Sequence, residues 1–160
     1  MTTAASTAPA QDAKALIEHI LERYHATHRR ELAELMPLAA KVERVHAAHP
    51  ERPVGLADLL TQMNAELEHH MMREEQVLFP TLLAGGGGCA PFAIRQMRHE
   101  HDDHAELLKA LAERTNGFAP PEEACRSWRA LYEGCAKLAA DLKAHIALEN
   151  DVLFPAYEAF

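Results

Sequence analysis

Two histidine–glutamate pairs have a spacing that permits metal or acid–base chemistry. His70 and Glu74 stand four residues apart, as do His145 and Glu149, and each pair is followed at the same offset by Val-Leu-Phe-Pro, at residues 77–80 and 152–155. On a helix, side chains at i and i+4 lie one turn apart on the same face, about 6 Å along the axis. Each pair can therefore direct an imidazole and a carboxylate at one centre. The two motifs superpose at a shift of 75 residues, and His25 and His28 match His101 and His104 at a shift of 76. Chance can place one HxxxE in a helical protein, but two with the same trailing motif point to an internal repeat of helical hairpins.

Such residues need a scaffold that turns them towards one another. Period-two runs of β-branched residues are nearly absent, and apolar residues recur instead at steps of three and four through four long segments. The first runs from about Asp12 to Ala48, with Pro37 as a kink. The second starts near Pro53 or Leu56 and runs to about Ala84, with Pro80 in its last turn and glycines 85–88 as its stop. The third opens at Pro91 and closes at residues 115–117. The fourth opens at Pro120-Pro121, where Glu122 and Glu123 suit a helix N-terminus, and runs to the C-terminus. Short connections between long helices predict an all-α, up-down-up-down antiparallel four-helix bundle.

The apolar stripes carry the candidate residues inwards. They read Leu21, His25, His28, Leu32, Leu35 on the first helix and Leu56, Leu60, Met63, Leu67, His70, Glu74, Leu78 on the second. The third gives Ile94, Met97, His101, His104, Leu108, Leu111, and the fourth Trp128, Leu131, Cys135, Leu138, Leu142, His145, Glu149, Val152. An inward carboxylate costs several kcal/mol unless it is paired or holds a cation. No Lys or Arg lies on these stripes near Glu74 or Glu149, which leaves His–Glu ion pairs or a metal. A single zinc would want four ligands, and closed zinc sites are usually rich in Cys. Four imidazoles (His25, His70, His101, His145) and two carboxylates (Glu74, Glu149) spread over four helices fit two metals bridged by the carboxylates. Imidazole with carboxylate suits iron best, and manganese or zinc less well. An oxo or hydroxo bridge would leave one position per iron open, as binding O₂ or NO requires.

The other histidines separate by position. His46 is 21 residues beyond His25, about 30 Å along one helix, so it and His49 are read as helix-end residues. His28 and His104 face inwards one turn from His25 and His101, as hydrogen-bond donors to the ligands or as alternative ligands. His19, His69 and His99 fall off the stripes and are expected at the surface. Glu66 and Glu100 are candidates for orienting imidazoles or walling an access path, against an ordinary solvated role.

Composition bounds the rest. The chain has 160 residues, 48% of them apolar, with 7 Gly and 11 His. That suits one domain at residues 12–160, with residues 1–11 read as a disordered tail. A net charge of −8 without a basic run argues against a nucleic-acid or anionic-membrane partner. No signal-like segment and no run of about 20 apolar residues appears, so a cytoplasmic location is expected. Cys89, Cys125 and Cys135 are odd in number and widely spaced, which fits a reducing compartment and structural roles.

With these residues in hand, the chain resembles the hemerythrin-like HHE proteins, and more closely the RIC ("repair of iron centres") di-iron proteins of bacteria. The resemblance rests on residues 23–29 (RYHATHR), 41–46 (KVERVH), 53–56 (PVGL), 70–75 (HMMREE), 100–102 (EHD) and 145–150 (HIALEN). It covers about residues 12–158. It implies a hemerythrin-like bundle and a non-haem di-iron centre held by His25, His70, His101 and His145 and bridged by Glu74 and Glu149. It also implies a part in nitrosative and oxidative stress, with NO or O₂ as ligands and iron–sulfur proteins as clients. RIC proteins carry a cysteine-containing module before the bundle, where this sequence has residues 1–11. Oxygen-carrying hemerythrins use HxxxH on the third helix and Asp on the fourth, where this sequence has HxxH and HxxxE. Three functions are thus in play: iron–sulfur repair, an NO or O₂ buffer or sensor, and a di-iron NO reductase or peroxidase.

Overall fold

The computed structural model describes residues 9–158, and most of the expected N-terminal tail lies outside them. Residues 9–11 already belong to the first helix, with Pro9 in its first turn, where a missing N–H costs nothing. Four long helices succeed one another along the chain, and no strand occurs among the described residues. Helix α1 (residues 9–45) comprises Pro9–His19, a π-helical turn Ile20–His25, and Ala26–Val45. Helix α2 (residues 56–83) comprises Leu56–Arg73, a π turn Glu74–Leu78, and Phe79–Leu83. Helix α3 is Ala90–Arg114. Helix α4 (residues 126–158) comprises Arg126–Leu148, a π turn Glu149–Leu153, and a last turn Pro155–Glu158. Helices α1 and α3 each pack against α2 and α4, which is the expected antiparallel bundle.

The connections fix where the helices begin. The Glu43 carboxylate accepts the N–H of Gly55 at 2.5 Å and of Ala57 at 3.3 Å, which satisfies the orphan donors at the start of α2. After α2, Gly86 takes φ +75, and a Cβ there would lie 2.3 Å from the Tyr157 ring, so only glycine fits beneath the last turn of α4. The fourth helix starts later than its sequence suggests. Pro121 and Ala124 close a turn at 3.0 Å with Glu122 and Glu123 at its centre. Arg129 reaches back to the carbonyls of Ala124 and Glu122, holding this turn outside the helix.

Two apolar clusters fill the bundle. One spans its connection-rich far half, from Leu32 and Leu67 through Trp128 to Leu142. The other gathers Ile17, Ile20, Leu78, Phe79, Leu82, Ile94, Met97, Leu153 and Phe154. Between them the described core holds a polar layer: His25, His28, His70, Glu74, His101, His104, His145 and Glu149, all buried. No helix of the structure is long and apolar enough to cross a membrane.

Candidate metal centre

Three of the four helices change geometry at this layer. Pro80 and Pro155 stand six residues after Glu74 and Glu149. A proline inside an α-helix lacks one donor and crowds the carbonyl four residues back. Each helix widens by one residue just before its proline. The Phe79 N–H bonds the Glu74 carbonyl, and the Phe154 N–H bonds the Glu149 carbonyl at 2.8 Å, both five residues apart. Single π turns of this kind gather at functional sites.

The extra residue also shifts the register of the next turn. Val152, placed inwards by a strict helical period, is 56% exposed, and Leu153 is buried instead. In α1 the π turn likewise buries Ile20 and leaves Leu21 half-exposed. The phenylalanines of the repeated motif benefit: Phe79 stacks on His25 at 5.8 Å and Phe154 on His101 at 5.9 Å.

The six residues singled out by spacing converge. Ligand atoms of His25, Glu74, His145 and Glu149 lie within 4.8 Å of one another, and so do those of His70, Glu74, His101 and Glu149. Both glutamates belong to both quartets. Nε2 of His70 lies 2.5 Å from Glu74 Oε1, and Nε2 of His101 lies 3.0 Å from Glu149 Oε1. Nε2 of His145 is 3.4 Å from Glu149 Oε2, and Nε2 of His25 is 4.0 Å from Glu74 Oε1.

Each of these histidines is held by its other nitrogen. Nδ1 of His25 meets Glu75 Oε2 at 2.7 Å, Nδ1 of His70 meets Glu100 Oε1 at 3.2 Å, and Nδ1 of His101 meets Asn150 Oδ1 at 2.8 Å. Nδ1 of His145 meets His28 Nε2 at 3.0 Å. An ionised carboxylate only accepts, so His25 and His70 must carry their proton on Nδ1 and direct a bare Nε2 at the centre. Both carboxylates are kept ionised. Against the cost of burial, hydrogen bonds from His70 and Arg73 bring Glu100 down to about 2. Glu75 is likewise lowered, against burial, by Arg29 and His25. Arg29 forks onto Glu75 at 2.9 and 3.0 Å and onto Glu68 at 2.9 and 3.0 Å.

The interior is thus crowded with lone pairs. Nε2 of His70 and Nε2 of His101 face each other at 3.2 Å. Both oxygens of Glu74 and of Glu149, with Nε2 of His25 and of His145, are buried without a hydrogen-bond partner. Burial, and then the facing Glu149, push the Glu74 carboxyl well above its usual range. Burial pushes the other way on imidazoles: His25, burdened next by His145, falls to about 4. Six buried basic atoms crowded around one centre fit a pair of cations, and among the described residues no lysine or arginine side chain pairs with them.

The remaining expectations resolve individually. Glu100 orients His70, whereas Glu66 is exposed and bonded to Gln62 at 2.9 Å. His19, His69 and His99 are exposed. His46 caps the end of α1 and packs on Trp128 at 4.7 Å, with His49 at 5.0 Å from the same ring, far from the centre. His28 is buried, with its Nε2 3.0 Å from Nδ1 of His145. His104 packs edge-on against His70 at 4.8 Å with its Nδ1 buried and unpartnered. Of the cysteines only Cys135 is in the core; Cys89 and Cys125 are exposed, and Cys125 Sγ lies 3.1 Å from His46 Nε2. Glu75 and Asn150 lie off the apolar stripes, so periodicity does not single them out, although each directly follows a ligand candidate at the repeat shift of 75.

A family model described as the hemerythrin HHE cation binding domain matches residues 16–157. The iron–sulfur cluster repair protein YtfE of Citrobacter koseri, and that of Escherichia coli O157:H7, are each 51% identical over 140 residues, or 88% of this chain. The counterpart of Escherichia fergusonii is 50% identical over the same length. The chain spans 64% of the length of these curated relatives.

Proposed function

The chain belongs to the hemerythrin HHE family, whose domains bind a di-iron centre, and from that premise we propose that it supports the repair of damaged iron–sulfur clusters under nitrosative and oxidative stress. In this reading His25 and His145 would hold one iron, His70 and His101 the other, and Glu74 and Glu149 would be shared by both. An iron pair held there would supply one-electron redox chemistry and binding of NO or O₂. The observation that carries the reading is the sharing of two buried carboxylates by two ligand quartets. Similarity to proteins named for iron–sulfur repair supports the activity and, with it, iron–sulfur client proteins and a cytoplasmic setting.

The protein's own contribution is positioning and exclusion of water. Glu75, Glu100 and Asn150 keep Nε2 of His25, His70 and His101 aimed at the centre, which removes the reorganisation that binding would otherwise require. Phe79 and Phe154 seal one side of the layer, and Leu32, Leu67 and Leu142 belong to the cluster on the other. The test is recovery of a nitrosylated or oxidised [4Fe–4S] enzyme by iron-loaded chain. Restoration of its activity, scaling with the iron supplied, supports repair. Stoichiometric uptake of NO, with no N₂O formed and no client recovered, would replace repair with a buffer or sensor.

A further inference from the structure

We infer that His28 is a positioning residue that fixes the tautomer and ring orientation of His145, and so controls one of the two metal positions without itself touching a metal. The inference rests on the di-iron reading above. It comes from a break in the repeat. At the shift of 76 that pairs His25 with His101, Glu100 is matched by Tyr24, and His104 by His28. In one hairpin the Glu100 carboxylate, anchored by Arg73, takes Nδ1 of His70, and His104 merely packs edge-on against that ring. In the other no carboxylate stands at that place. Tyr24 instead stacks flat on His145 at 5.4 Å and 9°, and Nδ1 of His145 goes to Nε2 of His28 at 3.0 Å, both rings being buried.

The proton count then fixes both rings. Two facing imidazole nitrogens share one proton. For Nε2 of His145 to offer its lone pair to a cation, Nδ1 of His145 must donate and Nε2 of His28 must accept. The proton of His28 is thereby confined to its own Nδ1, which is buried and has no partner. Tyr24 offers His145 only a ring face, and among the described residues no carboxylate bonds Nδ1 of His145 in place of His28. His25, the other histidine of that quartet, is held separately by Glu75, and the His70/His101 quartet has Glu100 and Asn150. Losing His28 should therefore disturb one metal position alone.

The experiment compares His28→Leu, His28→Asn and His28→Gln with the wild-type chain and with His104→Leu, each loaded with ⁵⁷Fe. Glutamine places an amide oxygen about where imidazole carries Nε2, whereas asparagine falls short of it. Circular dichroism of the iron-free chains establishes that each variant is folded. We expect about two irons per chain for wild type, H28Q and H104L. For H28L and H28N we expect a 10–100-fold weaker affinity at one position, with one Mössbauer doublet lost or shifted and the other unchanged. Should H28L unfold, the contrast between H28Q and H28N still decides. Two tightly held irons with a wild-type spectrum in H28N, or equal loss of both irons, would overturn the role of His28 and leave the di-iron reading intact. A wild-type chain that takes up no iron would overturn both.

Discussion

Glu75 and Asn150 each stand one residue beyond a buried glutamate, and each meets Nδ1 of a histidine on a neighbouring helix, at 2.7 Å to His25 and 2.8 Å to His101. The two contacts are copies of one device. The π turn that opens at Glu74 or Glu149 sends the glutamate inwards and the next residue across to the adjacent helix. Glu75→Ala and Asn150→Ala should each weaken iron binding about 10–100-fold while leaving the fold intact. Competition with a chelator of known affinity measures this. Iron affinity unchanged in both would show that the contacts are incidental.

The metal-free chain should be acid-sensitive. Burial, and next the neighbouring His145, lower His28 to about 3, and burial, and next His70, lower His104 to about 3, while His25 falls to about 4. A histidine lowered in the fold contributes stability that is fully present above its ordinary value near 6.5 and is lost as pH falls towards its folded value. Between about pH 6.5 and 4 each such histidine should remove about 1.4 kcal/mol per pH unit. Denaturant melts of iron-free chain at pH 7.5 and 5.5 test the sign; equal stability would mean these histidines take up protons in the fold as readily as in the unfolded chain.

On the proposed ligation iron should delay this loss, since a cation held at Nε2 of His25, His70, His101 and His145 competes with protons there. Removing it with a chelator at pH 7 should lower the melting temperature, because a ligand that binds only the folded state stabilises by mass action. Differential scanning calorimetry before and after chelation reads the shift directly. No shift would argue that the layer is filled by protons rather than metal.

The thiols should fall into two classes. Burial pushes the Cys135 thiol up to about 12, whereas Cys89 and Cys125 are exposed. Since the thiolate is the reactive form, a thiol-specific dye should modify two cysteines in the folded chain and the third only on unfolding. Prompt modification of Cys135 would contradict the packing of α4 against the core.

The fold and the six centre residues are legible in sequence because the 3.6-residue period places them on inward stripes, and the repeat shows that the placement is no accident. The period fails where the helix changes pitch. A regular α-helix would turn Val152 and Leu21 inwards, and the π turns give those places to Leu153 and Ile20. The supporting shell is half visible. Glu100 and His28 lie beside ligand candidates, but Arg29 and Arg73 act through carboxylates on other helices, a contact that no local spacing encodes. The late start of α4 is hidden for the same reason, since Arg129 secures the turn at Glu122 from inside the helix.

The central claim is that Glu74 and Glu149 together bridge two irons. Iron analysis with Mössbauer spectroscopy on wild-type, Glu74→Ala, Glu149→Ala and double-variant chains tests it most directly. The account predicts about two irons per wild-type chain in a magnetically coupled pair, loss of coupling and of much of the iron in each single variant, and almost none in the double variant. Two coupled irons retained in the double variant would contradict it.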